Sequence, residues 1–173
     1  PEDFMFLFMG HWLKGEYGHD RKDVATLVKS FLETFKDTVD APALVIKTSA
    51  TPSVMDREQT LNKIDDIKSM VDYKTSLQNV YLLHGDLSDD QVNELYNHRK
   101  IKAMVSYTKG EGFGRPLLEF SVTGKPVIAS NWSGHLDFLD SDKGAVLLGG
   151  EIKQVHESAV WDKVIIPESG WFY

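Results

Sequence analysis

The feature that most constrains the fold is a strand–loop–helix–strand unit in the second half of the chain. Its parts are an apolar strand (103–107), glycines at 110, 112 and 114, a helix (116–123) and a second strand (126–129). Pro116 stands at a first helical position, and Gly124 follows the helix where a C-terminal glycine is typical. The pattern predicts two parallel strands joined by a helix, with a glycine-rich loop at the carboxyl end of the first strand.

The rest of the chain alternates in the same way. Further strands are predicted at 4–9, 43–46, 80–83 and 145–148, and helices at 22–37, 57–71 and 88–96. Strands that are apolar on both faces and separated by helices predict an α/β fold. We expect a doubly wound, Rossmann-like parallel sheet of about six strands with helices on both faces.

Helix caps and the tail complete this prediction. We expect Asp20 to cap the first helix, Ser133 to cap a short helix through Leu139, and Ser88 with Gln91 to form a capping box. Residues 149–173 show no clear period, and no structure is predicted for them.

Composition limits the possible functions. The 173 residues suit one domain, and the net charge of −7 argues against general nucleic-acid binding, which needs a basic surface. Cysteine is absent, which excludes disulfides and thiolate zinc sites. No apolar run reaches the roughly 20 residues of a membrane helix. With no signal or transit peptide visible, a cytoplasmic location is expected.

Two carboxylates indicate what the glycine loop binds. Glu111 lies in the loop and Glu119 in the helix, with seven residues between them. A helix N-terminus attracts phosphate, whereas carboxylates repel it and accept hydrogen bonds from hydroxyl groups. The combination predicts a sugar attached to a diphosphate. The alternative is a solvated loop acid and a helix-surface acid without a ligand.

The same residues resemble a known signature. The segments 111–114, 116–119 and 124–129 are similar to the E-x7-E signature of retaining glycosyltransferases, and within those to family 4, which has the two-domain GT-B fold. The similarity extends in weaker form over 4–139. It implies that 1–173 is a single nucleotide-sugar-binding domain, the C-terminal half of a GT-B fold without its N-terminal acceptor domain. That missing domain would carry the acceptor, which is a glycan, a lipid or a protein.

The resemblance also implies roles for residues. Glu111 accepts from the donor sugar and Glu119 from the ribose, while the backbone of Gly112, Phe113, Gly114 and Arg115 faces the diphosphate. The family also places an Arg after the glycine of the first strand and a Lys–Gly pair before the first helix. Here Gly10 precedes His11 instead of Arg, and Lys22 matches the Lys, with Asp23 in place of the glycine.

Arg21 is the candidate replacement for the missing guanidinium, because arginine binds phosphate through two parallel bonds. Arg21, Lys22 and Glu111 are therefore the predicted catalytic residues, and Lys14-Gly15 is an alternative register for the Lys–Gly pair. Lys47 and His84, at strand ends, are further donor-binding candidates.

The GT-B resemblance implies no catalytic metal, and no cofactor is expected besides the donor substrate. Asp140-Ser141-Asp142 resembles a metal-binding D-x-D motif, but it is interpreted as a turn. Two alternatives to a glycosyltransferase remain open. One is another GT-B enzyme, such as an epimerase or a phosphorylase. The other is a non-catalytic nucleotide-sugar-binding module.

Overall fold

Six parallel strands form the central sheet of the computed structural model, which describes residues 2–13, 16–49, 55–160 and 165–173. The strands are β1 (Met5–Met9), β2 (Ala43–Thr48), β3 (Val80–His84), β4 (Ile101–Ser106), β5 (Val127–Ser130) and β6 (Ala145–Leu148). Each lies where the apolar pattern predicts a strand, within two residues at either end. The fold prediction is confirmed.

The order of the strands determines where a ligand can bind. Across the sheet the order is β3-β2-β1-β4-β5-β6, so the chain runs outward in one direction from β1 and in the other from β4. β1 and β4 are parallel neighbours, with Leu7 opposite Met104. In doubly wound folds, ligands bind beyond the carboxyl ends of the strands at such a reversal point. The reversal therefore directs attention to the loops after β1 and β4.

The sheet separates two hydrophobic cores because side chains alternate along each strand. Phe8 and Ile46 pack with α1 (Val24–Phe35) and α2 (Arg57–Ser69). On the other face, Leu7 packs with α3 (Asp89–Asn97) and α4 (Arg115–Ser121). Helices thus cover both faces of the sheet, as the alternating pattern predicts.

One of the two edge strands, β3, is less buried than predicted. The central strands β1 and β2 are buried or nearly so along their length, whereas no residue of β3 is buried. Tyr81 and Leu83 of β3 are 39% and 36% exposed. β3 lies at one edge of the sheet and pairs with β2 alone. Its residues 80–83 are apolar as predicted, but the expectation that both of its faces are buried is wrong.

Two of the three predicted caps are wrong. The capping box of Ser88 and Gln91 is present. However, α1 begins only at Val24, and the Asp20 carboxylate accepts from the Lys22 N–H instead of capping the helix. Ser133 makes no cap hydrogen bond at the short 3-10 turn Gly134–Asp137, because its hydroxyl is bonded to the backbone of another loop.

The tail contains structure that no periodicity indicated. An antiparallel pair, β7 (Ile152–Gln154) and β8 (Gly170–Phe172), packs against the glycine loop, and the Phe172 N–H donates to the Lys109 carbonyl at 3.1 Å. Strands of three residues are too short to show a period of two. No helix in the described parts of the chain is long and apolar enough to cross a membrane.

Candidate functional site

The loops after β1 and β4 meet the segment before α1 at the carboxyl edge of the sheet. The Arg21 guanidinium Nη1 donates to the Gly110 carbonyl at 2.7 Å and lies 3.4 Å from Glu111 Oε2. Lys22 Nζ forms an ion pair with the other oxygen, Glu111 Oε1. The Lys109 N–H also donates to the Arg21 carbonyl at 2.8 Å. The structure therefore brings together the three residues predicted to be catalytic.

The ion pair is largely shielded from water. The side chains of Lys22 and Glu111 are 10% and 9% exposed. Burial would raise the pKa of Glu111, but the charge and hydrogen bond of Lys22 and the charge of Arg21 outweigh it and lower the pKa. Burial lowers the pKa of Lys22, although Glu111 opposes that shift. Glu111 is thus an ionised carboxylate flanked by two cations.

More basic groups surround this pair. Burial lowers the pKa of His11, and the charges of Lys22, Arg21 and Lys47 lower it further, so His11 lies within the electrostatic reach of all three. The Lys47 ammonium is held by the Gly85 carbonyl at 2.7 Å, and burial lowers the pKa of Lys47. A chain with net charge −7 thus concentrates cations at this edge, which suits an anionic ligand.

Backbone geometry supports the assignment of Lys22. The next residue, Asp23, has φ 50° and ψ 41°, which is left-handed. Glycine adopts this conformation without cost, and aspartate is one of the few other residues that tolerate it. The family resemblance places a glycine at this position. The backbone at Asp23 therefore agrees with reading Lys22-Asp23 as the Lys–Gly pair, whereas the alternative pair Lys14-Gly15 lies outside the described residues.

The second carboxylate lies on the other side of the end of β1. Glu119 pairs with Arg115 one turn earlier in α4, and its Oε2 is 3.4 Å from the Tyr96 hydroxyl. That hydroxyl also lies 2.9 Å from Met9 Sδ, at the last residue of β1. Burial and the charge of Glu119 raise the pKa of Tyr96, so the phenol keeps its proton.

The carboxylates of Glu111 and Glu119 lie on either side of the chain segment Met9-Gly10. A Cβ on Gly10 would lie 3.5 Å from Lys22 Cε, so Gly10 lies beside the side chain that pairs with Glu111. Met9, the residue before it, contacts the tyrosine that reaches Glu119. The two acids therefore flank Met9-Gly10 at the reversal point of the sheet.

The glycine loop leaves open space on one side. Gly114 has φ 86° and a Cβ there would touch His135, so this position requires glycine. Gly110 and Gly112 have no positive φ, and a Cβ on either would meet nothing within 4 Å. Phe113, which follows Gly112, is 53% exposed. Neither backbone conformation nor packing within the described protein requires glycine at positions 110 and 112. Close approach of a ligand to the loop would explain both glycines.

Two contributors to the site were missed by the sequence analysis. Ser133 Oγ accepts from the Glu111 N–H at 2.9 Å and donates to the Glu111 carbonyl at 2.6 Å. The Gly134 N–H donates to the same carbonyl, and a Cβ on Gly134 would lie 2.2 Å from the Gly112 carbonyl oxygen. These residues fix the backbone of Glu111. The Ser-Gly pair after β5 was the available signal, but it was interpreted as a helix cap.

Lys109 was also missed. Its ammonium is buried, bonded to the Gly18 carbonyl and 3.5 Å from the Asp23 carboxylate. It lies 4.4 Å from the centre of the Tyr173 ring and 5.7 Å from that of Trp171. Lys109 therefore joins the loop before α1, the glycine loop and the C-terminal hairpin. A lysine after a strand carries no sequence signal for such a role.

The remaining candidates have other contacts. His84 Nε2 lies 3.4 Å from the Met55 carbonyl, and Arg115 is engaged with Glu119 while 76% of its side chain is exposed. Asp140 accepts from the Asp142 N–H at 2.9 Å in a 3-10 turn, which agrees with the turn interpretation of the D-x-D sequence.

Comparison with known proteins adds family and fold. The family described as "Glycosyl transferases group 1" matches residues 66–159. The C-terminal domain of a glycosyl transferase group 1 family protein from Francisella tularensis is similar at TM-score 0.61 and 19% identity, covering 86% of this chain and 68% of that one. A search of curated proteins found no match.

Two further solved structures are much longer than this chain. Sucrose-phosphate synthase from Thermosynechococcus elongatus has TM-score 0.59 and 20% identity, and 83% of this chain covers 32% of it. An Anabaena protein solved in complex with UDP and glucose has TM-score 0.55 and 14% identity, and 84% of this chain covers 34% of it. The chain thus spans about a third of these two proteins, and at such identities the likeness concerns the fold.

Proposed function

The chain belongs to the glycosyl transferases group 1 family, and we propose that the carboxyl edge of β1 and β4 binds a nucleoside-diphosphate sugar as glycosyl donor. The single observation that carries this proposal is the contact of Glu111 with the shielded Lys22 and the partly exposed Arg21 at the reversal point of the sheet. In this proposal the two cations would hold the diphosphate, and the carboxylate beside them would accept hydrogen bonds from the sugar hydroxyls.

The cations support the diphosphate half of the ligand. Among the described residues, Lys22 and Arg21 both pair with the Glu111 carboxylate, so the three groups together keep one positive charge for a ligand. Lys47 adds a further ammonium within reach of His11. As the glycosidic bond breaks, negative charge grows on the leaving diphosphate, and preorganised cations in a water-poor site stabilise that charge.

The acids support the sugar half. Glu111 is ionised and would accept strong hydrogen bonds from donor-sugar hydroxyls. Glu119, beyond Met9 on the other side of β1, would accept from the ribose. A Cβ on Gly110 or on Gly112 would meet nothing within 4 Å, which leaves room for a ligand beside the loop. We assign neither acid as a nucleophile, and we propose family-4-like transfer with retention and without a catalytic metal.

The proposed acceptor site lies outside this domain. A GT-B enzyme closes its donor domain against a second domain that carries the acceptor, so the isolated chain would bind donor but transfer little. An assay for nucleoside-diphosphate release, with and without acceptor, separates a transferase from an epimerase, a phosphorylase or a non-catalytic binding module.

The experiment that tests the proposal is calorimetric titration in the presence of a chelator. UDP- or GDP-sugars should bind at least about tenfold tighter than the matching nucleoside monophosphates, because the second phosphate gains charged hydrogen bonds worth about 1.5–3 kcal/mol. Binding that appears only after Mg²⁺ or Mn²⁺ is added would contradict the proposed metal-independent donor site.

Variants of the cationic group sharpen this test. Arg21→Ala should weaken diphosphate binding by about 1.5–3 kcal/mol, the cost of losing a charged hydrogen bond. His11→Ala should change it much less, because the lowered pKa of His11 leaves the ring neutral at pH 7. Arg99→Ala, at an exposed arginine, is the matched control. A larger effect of His11→Ala than of Arg21→Ala would show that the predicted replacement of the family arginine is wrong.

A further inference from the structure

Two histidines and a glutamate meet beside the segment that leads into Arg21. One ligand atom from each of Glu16, His19 and His156 lies within 4.8 Å of the others. The His19 and His156 rings are stacked, with centroids 3.8 Å apart and planes inclined by 15°. Glu16 and His19 precede α1, whereas His156 follows β7, so the cluster joins segments that are remote in the sequence.

One ring nitrogen of the cluster has no hydrogen-bond partner among the described residues. His19 Nδ1 is buried and has no partner among the described residues. His156 Nδ1 lies 2.8 Å from the Ser158 hydroxyl and 3.2 Å from the Ser158 N–H, so His156 is anchored through one nitrogen and its Nε2 is directed elsewhere. In metal-binding histidines the second ring nitrogen commonly donates to a neighbouring oxygen, and the Ser158 hydroxyl is an oxygen within reach of His156 Nδ1.

We propose that Glu16, His19 and His156 form a binding site for a divalent transition metal of the zinc class. Two imidazole nitrogens and one carboxylate oxygen are a known three-ligand set for Zn²⁺, with water as the fourth ligand. No cysteine is needed. The site shares no residue with the proposed donor site and would not contact the diphosphate as a catalytic metal does.

Binding requires a small rearrangement of the rings. A metal ion lies in the plane of each imidazole that coordinates it, and the planes of two stacked rings are nearly parallel. One ring must therefore turn about its Cβ–Cγ bond so that the two nitrogens converge. His156 Nδ1 accepts from the Ser158 N–H at 3.2 Å, so binding of the metal through Nε2 also requires the imidazole proton to move to Nδ1. There it can donate to the Ser158 hydroxyl, 2.8 Å away, in place of the bond from the Ser158 N–H.

The position of the cluster indicates what the metal does. The Lys109 ammonium is bonded to the Gly18 carbonyl, next to His19, and paired with Asp23, so the cluster adjoins the segment that bears Arg21 and Lys22. A metal held by His19 and His156 ties this segment to the C-terminal hairpin. The inferred role is structural, because binding in the folded state alone stabilises the fold.

Cobalt titration without any nucleotide tests the site independently of the proposed function. The chain is stripped with chelator, titrated with Co²⁺ and followed by its visible d–d absorption, with Zn²⁺ as competitor. We expect one Co²⁺ per chain and displacement by Zn²⁺. At about 100 times its Kd, Zn²⁺ should raise the Tm of the wild-type chain by roughly 5–10 °C.

Variants identify the ligands. His19→Ala and His156→Ala should each weaken Co²⁺ binding at least about 100-fold, because even second-sphere changes cost 10- to 100-fold. Glu16→Gln changes an exposed residue and should weaken binding without affecting the fold, which circular dichroism checks. His98→Ala, at an exposed histidine outside the cluster, should bind like the wild type. Absence of stoichiometric binding, or equal affinity in His19→Ala, His156→Ala and wild type, would overturn the proposal.

Discussion

At the scale of single residues, the two carboxylates of the candidate site differ in their partners. Glu111 is nearly buried and shared between Lys22 and Arg21, whereas Glu119 is one-third exposed and engaged with Arg115. In the absence of ligand, Glu111 thus serves as the anion for the same cations that are proposed to hold the diphosphate. This arrangement divides the two acids into different roles that substitution can separate.

Conservative amide variants test that division. Glu111→Gln should weaken binding of the nucleotide sugar relative to the bare nucleoside diphosphate by about 1–3 kcal/mol, because a charged acceptor for sugar hydroxyls is lost. The bare nucleotide should bind at least as tightly as before, since Arg21 and Lys22 lose their internal anion. Glu119→Gln should weaken both ligands by a similar factor through the ribose. Calorimetry of both ligands measures these effects.

An unchanged ratio between the two ligands in Glu111→Gln would contradict its assignment to the sugar. Loss of stability without any change in affinity would return both acids to purely structural roles. Thermal unfolding of each variant separates these outcomes from misfolding.

At the scale of elements, the glycine loop is held in place by its neighbours. The 3-10 turn Gly134–Asp137 supplies the Gly134 N–H to the Glu111 carbonyl at 3.1 Å, and Ser133 bonds the same residue twice. From the other side, β8 donates to Lys109, which in turn donates to Arg21. The position of Glu111 therefore depends on elements that follow it in the chain.

Gly134→Ala should disturb this support. The added Cβ would lie 2.2 Å from the Gly112 carbonyl oxygen and 3.0 Å from that of Glu111, and backbone cannot yield as a flexible side chain can. We expect a loss of about 1–3 kcal/mol in the free energy of unfolding, typical of overpacking, together with weaker donor binding. Urea denaturation and calorimetry measure the two effects.

Two glycine variants serve as controls for Gly134→Ala. Gly149→Ala, where a Cβ meets nothing within 4 Å, should change neither property. Gly112→Ala also meets nothing in the protein, so it should keep its stability and lose affinity for the donor alone. Full affinity in Gly112→Ala would show that the ligand does not approach this part of the loop.

At the scale of the whole molecule, a buried acid beside the candidate site makes the free energy of unfolding depend on pH. Asp20 is buried beside the segment that carries Arg21 and Lys22, and its Oδ2 has no hydrogen-bond partner among the described residues. Burial, followed by the charge of Asp23, raises the pKa of Asp20 to about 6 from its ordinary 3.8, against the opposing charges of Lys109 and Lys63. Between about pH 4 and pH 6, the folded chain therefore holds a proton on Asp20 that the unfolded chain releases.

The sign of the pH dependence follows from this raised pKa. The contribution of protonated Asp20 to stability is complete below about pH 3.8 and is lost as the pH rises through about 6. Asp20→Asn should remove this loss and raise the free energy of unfolding at pH 7 by about 1–3 kcal/mol, at roughly 1.4 kcal/mol per pKa unit. The amide oxygen can still accept from the Lys22 N–H.

Urea denaturation from pH 4 to pH 8 measures the Asp20 effect. The difference in stability between Asp20→Asn and the wild type should grow between about pH 4 and pH 6, the interval between the two pKa values. Asp72→Asn, at an exposed acid, is the control and should show no such growth. A constant difference across this range would mean that Asp20 does not take up a proton on folding.

The sequence by itself determined the fold and indicated the candidate site residues, whose proximity the structure then showed. Apolar segments of strand length alternate with amphipathic helices, and that pattern can be satisfied only by a parallel sheet covered on both faces. Glu111, Lys22 and Arg21 were identified from local motifs, because a glycine loop and the start of a helix are signals carried within a few residues. Local periodicity also located six strands and four helices.

Only the tertiary structure decided how these pieces meet. The contacts of Arg21 with Gly110, of Ser133 with Glu111 and of Phe172 with Lys109 join residues far apart in the chain, and no short pattern encodes such pairs. Asp20 and Ser133 both match the pattern of a helix cap. In the structure, however, Asp20 is buried and accepts from the Lys22 N–H, and Ser133 bonds to Glu111 of another loop. The stacking of His19 on His156 was likewise determined by packing, since it depends on a hairpin too short to show periodicity.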